Sequence, residues 1–176
     1  VHVPGPGCYG HNGADDVALD AALTARIVPG RPIMLKWERA DEHAWEPFGS
    51  AMQIELKASL DDKGRVTFWN HETYSDTHLS RPSAHKENSR LLAAWHLQTP
   101  RPSPPVKPSH GYHTGIHRNA DPIYDFSDCR VVKHLVRDLP LRVSALRSLG
   151  SYANVFAIES FMDELAHAKG TDPLEF

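Results

Sequence analysis

Met52 to His71 reads MQIELKASLDDKGRVTFWNH, and the class of fold turns on this stretch. Met52, Ile54, Leu56, Ala58 and Leu60 alternate with Gln53, Glu55, Lys57 and Ser59. Successive side chains of a strand point to opposite faces, so this period of two predicts a strand with one buried and one wetted side. DDKG then supplies turn residues, and Val66 and Phe68 are expected on one face of a returning strand over Arg65 to His71. The outcome is a hairpin with one side to be covered.

Toward the N-terminus, Leu19, Ala22, Leu23 and Arg26 or Ile27 recur at helical spacing between Asp15 and Ile27, and Pro29-Gly30 ends the run. RPIMLKW, Arg31 to Trp37, is a short apolar run that reads as a buried strand. Beyond the hairpin, periodicity dissolves between Ser80 and Asn119. RLLAAWHL allows one or two helical turns, while TPRPSPPVKPSHG lacks the backbone donors for helix or sheet, so a Pro/His-rich surface excursion is expected over about 80–119. Ile123 to Phe126 and then CRVVKHLVRDL suggest another strand, or two short ones. From Tyr152 to Ala168, Val155, Ile158, Met162 and Leu165 keep one apolar stripe, and Gly170 stands where a helix C-cap is expected. The sum is an α+β fold, two main helices packed on a mixed or mostly antiparallel sheet.

With 40% hydrophobic and 23% charged residues in 176, the composition is that of a globular domain. Net charge is −3 and the 19 Lys and Arg form no stripe, which argues against a nucleic-acid partner. Cys8 and Cys129 lie in unrelated contexts and read as free thiols. No apolar run is long enough to span a bilayer and no secretory pattern opens the chain, which leaves the compartment open.

GPGCYGHNGADD, Gly5 to Asp16, sets several glycines in front of the first helix, with Asp15 or Asp16 available as its cap. Glycine lets a backbone approach a ligand closely, and amides at a helix start attract anions. The second notable segment is LPLRVSALRSLGSYANVFAIESFMDELAHAKGTDPLEF at the other end.

Together these segments resemble the molybdopterin-binding large subunit of the xanthine dehydrogenase and aldehyde oxidase family, above all its bacterial branch of isoquinoline, nicotinate and aldehyde oxidoreductases. There a loop of the type GGGFG precedes one helix, and an arginine loop of the type FRGFG precedes another that bears an ExxxDELA-like run and then DPLE. Gly7, Cys8, Tyr9 and Gly10 fall on the first loop, Arg147 on the arginine of the second, and Leu149 on its second aromatic. The resemblance implies that 1–176 is a partial molybdopterin-binding domain, an internal piece of a longer subunit and inactive alone. It implies Gly7, Cys8, Tyr9, Gly10 and Arg147 as cofactor contacts, meeting one buried ligand, and Leu149 as a substrate contact.

The implied cofactor is molybdopterin, in mononucleotide or dinucleotide form. It holds molybdenum through its own dithiolene sulfurs, so the protein owes it backbone approach and donors rather than metal ligands, and a guanidinium suits its phosphate and oxo groups. The implied chemistry is hydroxylation of an sp² carbon, or oxidation of an aldehyde, with water as oxygen source. Electrons leave through [2Fe-2S] clusters on a partner chain or domain. The implied partners are the remainder of the large subunit, a [2Fe-2S] small subunit and a small-molecule substrate.

No residue matches the family's base glutamate, so no catalytic residue is assigned. Cys8 stands where the loop often has glycine, and HNGADD replaces the GKE continuation of purine-oxidising members, which disfavours a purine. Leu149 removes a stacking face but keeps an apolar wall. A non-catalytic, truncated paralogue acting as a binding or scaffold domain is the alternative.

His110, His113 and His117 share the short loop HGYHTGIH. Imidazoles suit zinc, but this loop offers no helical i, i+4 pair and no HExxH, so no metal ligand is assigned. Glu159 and Asp163, four apart, read as a structural helix face rather than an acid pair.

Overall fold

The computed structural model describes residues 14–80 and 89–176. Along the chain come α1 (Ala14–Ile27), α2 (Arg39–Trp45), β1 (Met52–Leu60), β2 (Val66–Ser75), 3-10 turns at Leu92–His96 and Gly115–His117, β3 (Cys129–Leu135) and α3 (Ser151–Lys169). They fall into two compact units, one drawn from residues up to Gly49 with Leu79–Val106 and Pro140–Arg147, the other from Ser50–His78, Lys107–Leu139 and Ser148–Phe176. Among the described residues no helix is long and apolar enough to cross a membrane.

In the second unit β1 and β2 form the expected antiparallel hairpin, and β3 joins β2 in parallel from Trp69↔Cys129 to Ser75↔Leu135, giving a mixed sheet of order β1-β2-β3. The turn is fastened by Asp61, whose carboxylate accepts the Lys63 and Arg65 amides at 2.9 and 2.8 Å and the Arg65 guanidinium at 2.8 Å. Gly64 takes φ 78° there, a region open mainly to glycine.

The faces of β2 differ from the alternation read in the sequence. Ser59 pairs with Phe68 but Leu60 with Val66, so a bulge skips Thr67 and the parity of the strand changes. Val66 therefore shares the core side with Trp69, while Phe68 lies with Ser59 on the open side. One helix covers the core side: Trp69 (0% exposed), Ile158 and Leu165 are buried together, with Leu56, Leu60, Phe126, Phe161 and Met162 around them. The Trp69 ring stacks on Phe126 at 4.8 Å and meets Phe161 at 5.5 Å.

α3 ends at Gly170, left-handed at φ 72°, as the sequence implies. Its buried stripe, however, is Asn154, Ile158, Leu165 and Ala166, and Val155 is 39% exposed. Asn154 is fully buried because every polar atom it carries is partnered. Its Nδ2 donates to Ile116 O at 2.9 Å and Arg118 O at 3.0 Å, and its Oδ1 accepts Thr73 Oγ1 at 2.9 Å and lies 3.2 Å from His71 Nε2. Ile116 and Ser109, both buried, belong to the Pro/His-rich stretch, which thus supplies interior residues as well as surface.

Two buried histidines follow from the same arrangement. Burial lowers the pKa of His71 and brings that of His78 down to about 4, from an ordinary 6.5. Ser75 Oγ donates to Ala51 O at 2.7 Å, so His78 Nε2, 2.9 Å away, carries the proton toward Ser75. Below pH 6.5 the unfolded chain takes up protons that the folded chain refuses. Stability is therefore full above that pH and falls as pH drops from 6.5 toward 4, by about 3 kcal/mol for His78. Urea midpoints at pH 7.5 and pH 5.0 check this, and equal midpoints would exclude a buried neutral His78.

In the first unit α1 packs against Leu92–His96. Asp15 and Asp16 lie in the first turn of α1 rather than ahead of it. Asp16, 3% exposed, does a different job from capping: Arg142 Nη1 contacts both its oxygens at 3.1 and 2.9 Å, and the Leu92 amide donates to it at 2.8 Å. Arg142 also donates to Arg90 O and Trp45 O, so one buried ion pair ties four stretches of chain. Arg31 to Trp37 is not the expected strand, since it joins no ladder among the described residues. Pro32 lacks a donor, and Met34 is 90% exposed. α2 was not foreshadowed by apolar periodicity; it starts from a reciprocal box in which Asp41 accepts the Glu38 amide at 2.9 Å.

Candidate functional site

Gly7, Cys8, Tyr9 and Gly10 lie outside the described residues. Of the expected contacts the structure places Arg147, exposed at the end of its unit, and Leu149, partly buried in the other.

The run into α3 has an unusual backbone. Ser148 and Leu149 adopt φ of 68° and 55°, two consecutive left-handed residues that are not glycine. Each such residue costs about 1–2 kcal/mol, so surrounding contacts must hold them there. Ser151 N donates to Ser148 O at 2.9 Å, and Gly150 N reaches Gly115 O at 3.3 Å. Ser151 Oγ donates to Asn119 Oδ1 at 3.1 Å. Gly150 fits so tightly that a Cβ there would stand 2.7 Å from Ile116 O. Among the described residues no side chain caps α3, and its first turn carries no acidic residue, which leaves the positive end of a 19-residue helix without a neutralising group of its own.

In the histidine loop, His117 Nε2 bonds to Gly111 O at 2.7 Å and its Nδ1 lies 3.2 Å from Lys133 Nζ. His110 and His113 are exposed, and the His113 ring meets that of Tyr112 at 3.9 Å, tilted by 54°. Among the described residues no three His, Cys, Asp or Glu side chains gather as a metal would require. Glu159 accepts the Tyr124 hydroxyl at 2.7 Å, which pushes that phenol up to about 12, while Asp163 is exposed. Cys129 is a free, exposed thiol whose pKa is raised by partial burial.

A polar cluster that the sequence did not reveal occupies the open side of the sheet. Glu72 accepts Arg130 at 2.6 Å and His134 at 2.7 Å, which hold its carboxyl down at about 2. His134 stacks on Tyr74 at 4.2 Å. The bulge at Thr67 creates this face by setting Phe68, Asn70, Glu72 and Tyr74 on one side; a period-two reading started at Val66 puts them on the other.

These observations define an α+β chain with a mixed sheet and a constrained glycine-ended loop before its longest helix. The chain is similar to one of the subunits of nicotinate dehydrogenase from Pseudomonas putida, with 35% identity over all 176 residues, and spans 13% of that protein's length. No protein-family profile matches it. No solved structure matches it.

Proposed function

We propose that this chain is part of the large subunit of a molybdenum hydroxylase of the xanthine dehydrogenase and aldehyde oxidase type. On this reading it helps bind molybdopterin and serves an oxidoreductase that acts on an N-heteroaromatic ring or an aldehyde. The observation that carries the reading is a 35% identity running through the whole chain, both motif-bearing segments included, with a dehydrogenase subunit. The name of that relative favours a pyridine-type ring among the two substrate classes.

The donor chemistry of the described residues fits an anionic, oxygen-rich cofactor. Arg147 offers an exposed guanidinium, and α3 starts without an acidic residue in its first turn. Arg147 would hold phosphate or oxo groups, Gly7, Cys8, Tyr9 and Gly10 would offer backbone amides, and Leu149 would wall the substrate. When bound, the cofactor supplies oxidative hydroxylation with water as oxygen donor. This chain's residues supply positioning, and [2Fe-2S] clusters on a partner chain or domain would accept the electrons.

Charge-assisted hydrogen bonds contribute about 1.5–3 kcal/mol each, so Arg147→Gln should weaken cofactor retention about tenfold to a hundredfold. Elemental analysis of the native assembly after exhaustive gel filtration reads this directly. Molybdenum with iron in the parent and reduced molybdenum in the variant, at equal thermal midpoint, is the expected result. A native assembly lacking both metals would favour the scaffold alternative, and zinc alone would point to the histidine loop.

A further inference from the structure

The first unit contains a cavity of about 590 Å³ that the proposed redox role does not use. Its volume is that of a small-molecule site. It lies among α1, the segment before α2, α2 itself and the turn at Leu92–His96, with Trp37, Trp45, Leu35 and Leu92 as its apolar wall and Asp20 and Asp41 as its acidic groups. Trp37 Nε1 donates to Asp20 Oδ2 at 3.2 Å, which fixes that indole beside a carboxylate. Trp45 is 55% exposed, an uncommon position for the largest apolar side chain.

The charges in this wall do not cancel. Asp16 is matched by Arg142 at 2.9 Å, and Lys36 by Glu38 at 2.9 Å. Asp20 and Asp41 have no ion-pair partner among the described residues, and His96, the remaining titratable group of the wall, cannot balance both. An anion would meet two carboxylates here, and a neutral ring would have no use for them. Indoles beside carboxylates are the chemistry that holds an organic cation, through the ring quadrupole and direct charge attraction.

We propose that this cavity binds a small organic cation with a flat or N-alkylated head, at a site that draws no residue from the loop before α3. The test is calorimetric titration of the full chain with N-methylpyridinium, and with toluene and benzoate as the neutral and anionic counterparts of the same shape. Saturable one-to-one binding of N-methylpyridinium, at least about tenfold tighter than toluene and with no heat from benzoate, is expected. Asp20→Asn, which keeps an oxygen for Trp37, and Trp45→Leu at its exposed position should each weaken that binding about tenfold at unchanged thermal midpoint. No saturable heat, or equal affinity for the cation and toluene, overturns the proposal. So does undiminished binding by Asp20→Asn. None of these readouts depends on molybdenum, so failure here leaves the proposed redox role standing.

Discussion

Replacing Asn154 with alanine should lower the stability of the folded chain by about 3–4 kcal/mol, the largest loss expected here from removing a side chain. The amide meets four groups at once: the buried Ile116 carbonyl, Thr73 hydroxyl and His71 imidazole, and the partly buried Arg118 carbonyl. Because Thr73 Oγ1 donates its proton to Asn154 Oδ1, His71 Nε2 must be protonated, and the other ring nitrogen is buried with no partner among the described residues. Truncation removes the side-chain partner of the buried Ile116 carbonyl and one bond each from the Arg118 carbonyl, the Thr73 hydroxyl and the His71 N–H, the last two keeping only their 2.8 Å contact with each other. Small buried networks of this kind lose more than the sum of their bonds. Thr73→Val removes only one member and should cost about 1 kcal/mol. Urea denaturation at pH 7.5 measures both, and a cost for Asn154→Ala no larger than that for Thr73→Val would show that the network does not hold α3 to the sheet.

Gly115→Ala should cost about 3–5 kcal/mol, for two separable reasons. The residue sits at φ 57°, and a Cβ there would stand 2.4 Å from Thr77 O and 2.6 Å from Ser109 Oγ. Gly150→Ala isolates the second cause, since its φ of −76° suits any residue while its Cβ would stand 2.7 and 2.8 Å from the carbonyl oxygens of Ile116 and Gly115. It should cost about 2–3 kcal/mol, less than Gly115→Ala. Those carbonyls cannot easily retreat, because Asn154 holds Ile116 O and the Gly150 amide reaches Gly115 O. Thermal midpoints rank the two variants. Equal midpoints for Gly115→Ala and the parent would mean that the 115–116 segment relaxes freely, and the constraint on the loop at residues 148–150 would then be unsupported.

That loop shows how far residues alone carry the reading of the site. Arg147 and Leu149 stand out by resemblance, and the residue types fit an anion-binding loop. The left-handed backbone of Ser148 and Leu149 had no local signal, because neither residue favours φ > 0 and the residues that follow them, Gly150 and Ser151, are anchored to Gly115 and Asn119. The cavity between α1 and α2 was equally hidden, since Trp37 and Asp20 are ordinary residues of a connecting segment and a surface helix until the chain brings them together. Gly7, Cys8, Tyr9 and Gly10 are four of the six expected site residues and lie outside the described residues.

Local pattern by itself determined a hairpin of Met52 to Leu60 with a returning strand from about Arg65 to His71, which in the structure runs on to Ser75, the helices at α1 and α3, and the stop at Gly170, because strand and helix periods and glycine's tolerance of φ > 0 act over a few neighbours. Only the tertiary structure decided which face of β2 is inside, why a polar Asn154 outranks Val155 for burial, and that β3 joins in parallel. The reason is one of distance along the chain. Asn154 meets His71 across 83 positions and Arg142 meets Asp16 across 126, and a polar group can be buried only where such a partner arrives to replace water.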